Sequence, residues 1–140
     1  MIILDTNIIS ELMKGDRTDK NVYNWIANQE IKSLYTTTIS QAEILLGIAI
    51  LPEGKRQTKL NELAHLMFIE DFNNRILSFD EKSAIAFAQI VSNRRKKGQP
   101  ISQADAQIAA ITYTNHGILA TRNVKDFISC NIEIVNPFDN

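Results

Sequence analysis

Met1-Ile2-Ile3-Leu4-Asp5-Thr6-Asn7-Ile8-Ile9-Ser10-Glu11-Leu12 is the stretch from which the fold is read. Ile2-Ile3-Leu4 is too short for a helix and does not alternate with polar residues. A strand buried on both faces of a parallel sheet has this composition. Behind it, Ile8, Ile9, Leu12 and Met13 fall on one helical face. Thr6 and Asn7 are residue types that cap a helix start. The stretch therefore predicts strand, carboxylate, turn, helix, with Asp5 at the carboxyl end of the strand, where open α/β sheets bind their ligands. An ionised carboxylate beside apolar strand is costly unless a cation neutralises it. A plain helix cap is the simpler role for Asp5.

Working outward, the same unit repeats. Lys14 to Thr18 reads as a turn, and Asp19 as the cap of a helix that buries Val22, Trp25 and Ile26. Leu34 to Thr38 is β-branched and aromatic, a second strand. From Ser40 a helix runs through Glu43, Ile44 and Ile48 to a break at Pro52-Glu53-Gly54, and a second runs from Gln57 to Met67. Together they predict a helical hairpin between Ser40 and Asp71. Arg75 to Phe79 reads as a short strand, and Asp80 caps a helix that ends in Arg94-Arg95-Lys96-Lys97 and Gly98. Ser102 opens the next helix, which stops at His116-Gly117. Ile118 to Thr121 is a strand, Val124 to Ile128 a helical turn, and Ile132 to Val135 a closing strand. Strands alternating with helices predict an α/β fold, a three-layer α/β/α sandwich around a mainly parallel sheet of about five strands.

Composition narrows the function. The 140 residues suit one domain over 1–140, and 44% hydrophobic with 22% charged residues is ordinary for a soluble globular protein. A net charge of −1 means that a polyanion must be met by a local basic patch. The single Cys130 excludes an intramolecular disulfide, and no apolar run approaches membrane-spanning length. A soluble cytoplasmic protein with no membrane partner is expected.

Three acids sit where this fold brings elements together: Asp5 after the first strand, Glu43 after the second, and Asp105 before the Ile118 strand. Ser40-Gln41-Ala42-Glu43 and Ser102-Gln103-Ala104-Asp105 also have the spacing of capping boxes. Converging carboxylates raise each other's pKa unless a cation joins them. Hard oxygen donors without nearby His or Cys suit Mg²⁺ or Mn²⁺, and such a centre favours phosphodiester hydrolysis. No Gly-rich phosphate loop, G-x-S-x-G or Cys–His pair is present, and His65 and His116 read as structural.

Leu4-Asp5-Thr6-Asn7, Ser40-x-x-Glu43, Ala104-Asp105-x-x-Ile108-Ala109 and Thr121-Arg122-Asn123-Val124-x-Asp126-Phe127 resemble, in order and spacing, the signatures of a PIN domain. More narrowly they resemble the VapC-type toxins of bacterial toxin–antitoxin pairs. Ile8-Ile9-Ser10-Glu11 and Asn136-Pro137-Phe138 point to the FitB-like subgroup. The resemblance implies a homodimer, Mg²⁺-dependent (or Mn²⁺-dependent) cleavage of RNA, inhibition by a cognate antitoxin, and a larger toxin–antitoxin assembly on promoter DNA. It implies Asp5 and Asp105 as metal ligands, with Glu43 completing the catalytic set. Many relatives carry a fourth acid directly after the Thr-Arg pair, where this chain has Asn123; others carry it three residues on, at Asp126. Thr6, Asn7, Thr121 and Arg122 are the expected supporting residues.

Arg94 to Lys97 and Arg122 are the candidate contacts for RNA phosphates. The basic run fits a solvated helix end favoured by the helix dipole better, since Gly98 stops the helix there, and Arg122 is the stronger candidate. Trp25, Phe68, Phe72, Phe79 and Phe87 are expected in the core or at a dimer contact. Two competing functions are a phosphatase with Asp5 as covalent nucleophile and a non-catalytic DNA-binding partner that represses with its antitoxin. The phosphatase usually needs a second acid two residues on, where Asn7 stands.

Overall fold

In the computed structural model, which describes residues 1–139, Ile2–Leu4 forms the central strand of the sheet (β1). It pairs in parallel with β2 (Leu34–Thr37) on one side and β4 (Ile118–Ala120) on the other. β3 (Ile76–Leu77) adds outside β2 and β5 (Glu133–Val135) outside β4, giving the all-parallel order β3-β2-β1-β4-β5. Among the described residues, six helices cover it: α1 (Thr6–Leu12), α2 (Lys20–Ala27), α3 (Thr38–Ala49), α4 (Lys55–Leu66), α5 (Glu81–Lys96) and α6 (Gln103–Thr114).

The two faces of β1 explain the unbroken apolar run. Leu4 packs with Ile8, Ile9, Val22, Ile44, Ala64 and Phe68 beneath α1 to α4. Ile3 points the other way, into Ile90, Ile108, Ala109, Leu119 and Phe127 beneath α5 and α6. Ile3 and Leu4 are both fully buried, so neither face of this strand meets solvent. The three-layer sandwich is the expected one.

Several boundaries differ from the sequence reading. α3 begins at Thr38, two residues before Ser40, because Thr37 is extended and its hydroxyl accepts from the Ser40 N–H at 3.0 Å. Ser40 is therefore not the cap, and Glu43 lies in the second turn. Asp19, Asp80 and Ser102 do cap α2, α5 and α6. α4 starts at Lys55 and passes into a π-helical segment, Met67–Asp71. β3 keeps only Ile76 and Leu77 of the expected Arg75 to Phe79. α6 ends with His116 in the left-handed region (φ 53) while Gly117 N–H returns to Thr112 O at 3.0 Å. Gly117 then passes so close to β1 that a Cβ there would stand 2.8 Å from Ile3 Cδ1.

This strand order places a topological switch at β1. The chain moves outward through β2 and β3, then returns to β4 on the opposite side. The crevice beyond the carboxyl ends of β1 and β4 is where such sheets place ligands.

Candidate active site

Asp5 follows β1 at this crevice and continues the ladder, its N–H donating to Ala120 O at 3.0 Å. Its side chain also caps α1, with Oδ1 accepting from Thr6 N–H at 2.8 Å. Capping and siting thus coexist in one residue. Oδ2 accepts from the Thr121 hydroxyl at 2.7 Å and from Asn7 Nδ2 at 3.2 Å. Despite three donors, the carboxyl is pushed up from 3.8 to about 6, chiefly by burial, with Asp105 and Glu43 adding to the rise. Hydrogen bonds and desolvation oppose each other here, and desolvation wins.

Thr121, the residue after β4, is fully buried. A hydroxyl has one proton, which goes to Asp5; its lone pairs receive Asn7 Nδ2 at 3.2 Å and Asn123 N–H at 3.1 Å. Asn7 completes the frame, its Oδ1 accepting from Arg122 N–H at 3.0 Å. The Asp5–Thr6–Asn7 turn and the Thr121–Arg122–Asn123 turn are thereby tied together.

Glu43 arrives from α3. Its Oε1 accepts from the Thr6 hydroxyl at 2.6 Å, and Thr6 Oγ1 lies 3.0 Å from Ser40 Oγ. With one proton on Thr6, the shorter, charge-assisted bond takes it and Ser40 donates back to Thr6. Buried Ser40 thus serves the acid rather than the helix cap. Asp105 is half-buried in the first turn of α6, where its N–H donates to Ser102 Oγ at 3.1 Å. Burial raises its pKa, and Asp126 and Glu43 raise it further, while Arg94 opposes.

Asp5, Glu43 and Asp105 line one cleft, together with Thr6, Asn7, Arg122 and Asn123. Asp126 is not on its wall, yet its charge is felt at Asp105. Ser10, Glu11, Lys14 and Phe138 also line the cleft, and the sequence reading assigned them no role there. For α1 the signal was present, since Asn7, Ser10, Glu11 and Lys14 recur at helical spacing. Glu11 is buried, paired with Lys14 at 3.0 Å, and held low by the Asp19 N–H at 2.9 Å.

Arg94 departs from both of its expected roles. It is only 4% exposed and donates to the carbonyls of Gln99 (2.6 Å), Asp126 (2.9 Å), Ile128 (2.7 Å) and Pro100 (3.2 Å). It binds neither solvent nor phosphate; it clamps the lead-in to α6 against the Val124–Phe127 turn. Arg95, Lys96 and Lys97 remain exposed.

Among the described residues, no three His, Cys, Asp or Glu side chains stand close enough together to enclose an ion. The donor set therefore does not make an all-protein cage. It does fit Mg²⁺ or Mn²⁺, which take one or two carboxylates and keep several waters. No cation among the described residues pairs with Asp5, Glu43 or Asp105, and the charge of Glu43 raises both Asp5 and Asp105.

A family model described as the PIN domain matches residues 2–129. The plasmid stability protein StbB of Pseudomonas syringae pv. tomato is 39% identical over 139 residues, 99% of each chain. The VapC ribonuclease Y4jK of Sinorhizobium fredii is 34% identical over 139 residues, again 99% of each. The crystal structure of FitAcB from Neisseria gonorrhoeae superposes with a TM-score of 0.93 at 34% identity, covering 100% of both chains.

Proposed function

The chain belongs to the PIN-domain family, and from that premise we propose that it is the toxin of a type II toxin–antitoxin pair, a divalent-metal-dependent endoribonuclease. The observation that carries the reading is Asp5: a buried carboxylate raised to about 6, facing Glu43 and Asp105 with no cation paired to it. Carboxylates that converge unpaired on one cleft repel one another until a cation joins them, and perturbed acids of this kind mark functional sites.

Asp5 and Asp105 would hold the ion. When bound, Mg²⁺ or Mn²⁺ supplies Lewis acidity toward a phosphoryl oxygen and activates water. Thr121 and Asn7 fix the Asp5 carboxylate for this task, each donating to Oδ2. Glu43, held through Oε1 by Thr6, keeps Oε2 available to accept a proton from the attacking water. Asn123 on the cleft wall orients that water, and Asp126 adds negative charge near Asp105. Arg122 supplies the cation for the RNA strand.

The phosphatase alternative fails on the same geometry. Asn7 occupies the position of the second acid, and its amide is committed to Asp5, Thr121 and Arg122. The neighbours support an antitoxin and a DNA-bound assembly: FitAcB and a FitAB complex bound to a DNA fragment both superpose at a TM-score of 0.93. A cognate antitoxin, a second copy of the chain and a joint assembly on promoter DNA are the partners proposed. Leu46 and Ile50, 63% and 75% exposed on and just after α3, offer apolar surface for such contacts.

The test is cleavage of single-stranded RNA by the purified, antitoxin-free chain in Mg²⁺ or Mn²⁺, with EDTA as control. Products that vanish with EDTA and return with excess metal are expected. Intact RNA in both metals rejects the reading.

A further inference from the structure

Two cations line the cleft, and they are held differently. Lys14 is engaged with Glu11 at 3.0 Å. Arg122 is exposed and makes no ion pair among the described residues, although Asp5, Glu43 and Asp105 line the same cleft. Its guanidinium lies instead over the Phe138 ring, 4.5 Å from the centroid.

Both sides of this contact are fixed from behind. The Arg122 N–H donates to Asn7 Oδ1 at 3.0 Å, the same Asn7 that donates to Asp5. The Phe138 N–H donates to Asn136 Oδ1 at 3.0 Å, and its carbonyl accepts from Asn21 Nδ2 at 2.9 Å. Its ring packs against the apolar cluster that contains Leu4 and Ile8. The stack is therefore anchored at the backbone of both partners.

An arginine beside several carboxylates is drawn toward bidentate pairing with them. Such a pair would neutralise the cleft and compete with a divalent ion. Stacking on an aromatic face offsets that pull while leaving the guanidinium edge free for hydrogen bonds.

We propose that Arg122 grips an RNA phosphate adjacent to the scissile one, and that Phe138 is the positioning residue that keeps the guanidinium off the carboxylates. The inference deepens the ribonuclease reading and rests on it. Arg122 touches substrate; Phe138 acts through Arg122.

The experiment is steady-state cleavage of a single-stranded RNA oligonucleotide at fixed Mg²⁺ by the full chain, over a series of KCl concentrations. Arg122→Ala is expected to raise KM about tenfold, the loss of one charge-assisted contact, with a smaller change in kcat. The slope of log KM against log salt should shallow by about 0.7, one phosphate contact on a single strand. Arg122→Lys should keep the slope. Phe138→Leu should raise KM about threefold and add nothing in an Arg122→Ala background, while Phe138→Tyr, which preserves the stack, should restore the parent value. An unchanged salt slope in Arg122→Ala overturns the phosphate contact. A Phe138→Leu effect that persists without Arg122 overturns the positioning role, because the ring then acts on its own. Failure of the parent chain to cleave RNA at all overturns the ribonuclease reading, and this inference with it.

Discussion

The Thr121 hydroxyl donates to Asp5 Oδ2 at 2.7 Å across the mouth between β4 and β1, joining residues 116 positions apart. It is the shortest bond that Asp5 accepts, and Thr121 in turn receives Asn7 and Asn123. Thr121→Val keeps shape but removes a donor from a buried carboxylate and an acceptor from two N–H groups. Asp5 should then be harder to ionise, and the chain less stable by about 1–3 kcal/mol. Cleavage should fall at least tenfold, and Thr121→Ser should recover most of it. Activity of the valine variant equal to the parent's would remove Thr121 from the site.

Asp5 also sets a pH dependence. Its folded pKa of about 6 lies above the ordinary 3.8, so the folded chain binds this proton more tightly than the unfolded chain does. The resulting stabilisation is complete below 3.8 and is lost as pH rises toward and through 6. The gap corresponds to about 3 kcal/mol. Without divalent metal, Asp5→Asn should therefore melt higher than the parent at pH 8, the advantage shrinking or reversing at pH 4. The same variant should be inactive in RNA cleavage. Melts at both pH values in EDTA, with the cleavage assay beside them, check this; an asparagine variant less stable at pH 8 than at pH 4, relative to the parent, contradicts the sign.

Arg94 carries a stability prediction. Arg94→Leu removes the guanidinium that donates to the carbonyls of Gln99, Pro100, Asp126 and Ile128. Stripping four partly buried carbonyls of their charged donor costs on the order of 3 kcal/mol. Arg94→Lys should recover little, because an ammonium lacks the planar fork that reaches both segments. Urea unfolding of the two variants measures this, and a loss below about 1 kcal/mol for leucine would show the clamp to be dispensable.

These residues show what was legible. Ile2-Ile3-Leu4 announced a strand covered on both faces, and Asp19, Asp80 and Ser102 announced helix starts, because each signal is local. Asp5, Glu43 and Asp105 could be brought together once the strand order was supposed. Ser40 misled, since S-x-x-E is equally a capping box and the anchor of an acid, and only the extended backbone of Thr37 decides between them. Arg94 was hidden within four consecutive basic residues; which of them is buried depends on α6 and the Val124–Phe127 turn closing over it. Phe138 could not be placed beside Arg122 without the tertiary bond from Asn21.

The fourth site position separates two side chains that the sequence left equivalent. Asn123 lines the cleft and is tethered by its N–H to Thr121, so its amide can reach a water at the acids. Asp126 stands off the wall, its N–H bonded to Asn123 O and its carbonyl held by Arg94, but its charge raises Asp105 more than that of Glu43 does. A site that must recruit a cation gains more from that charge than from a neutral amide. Asp126→Asn should therefore weaken Mg²⁺ binding severalfold and release Asp105 toward the ordinary carboxylate range, whereas Asn123→Ala should lower kcat with little change in metal affinity. Asn123→Asp, which puts a carboxylate on the cleft wall itself, should bind Mg²⁺ more tightly than the parent. Calorimetric titration of the three variants decides the order, and unchanged affinity in Asp126→Asn would assign the fourth position to Asn123 alone.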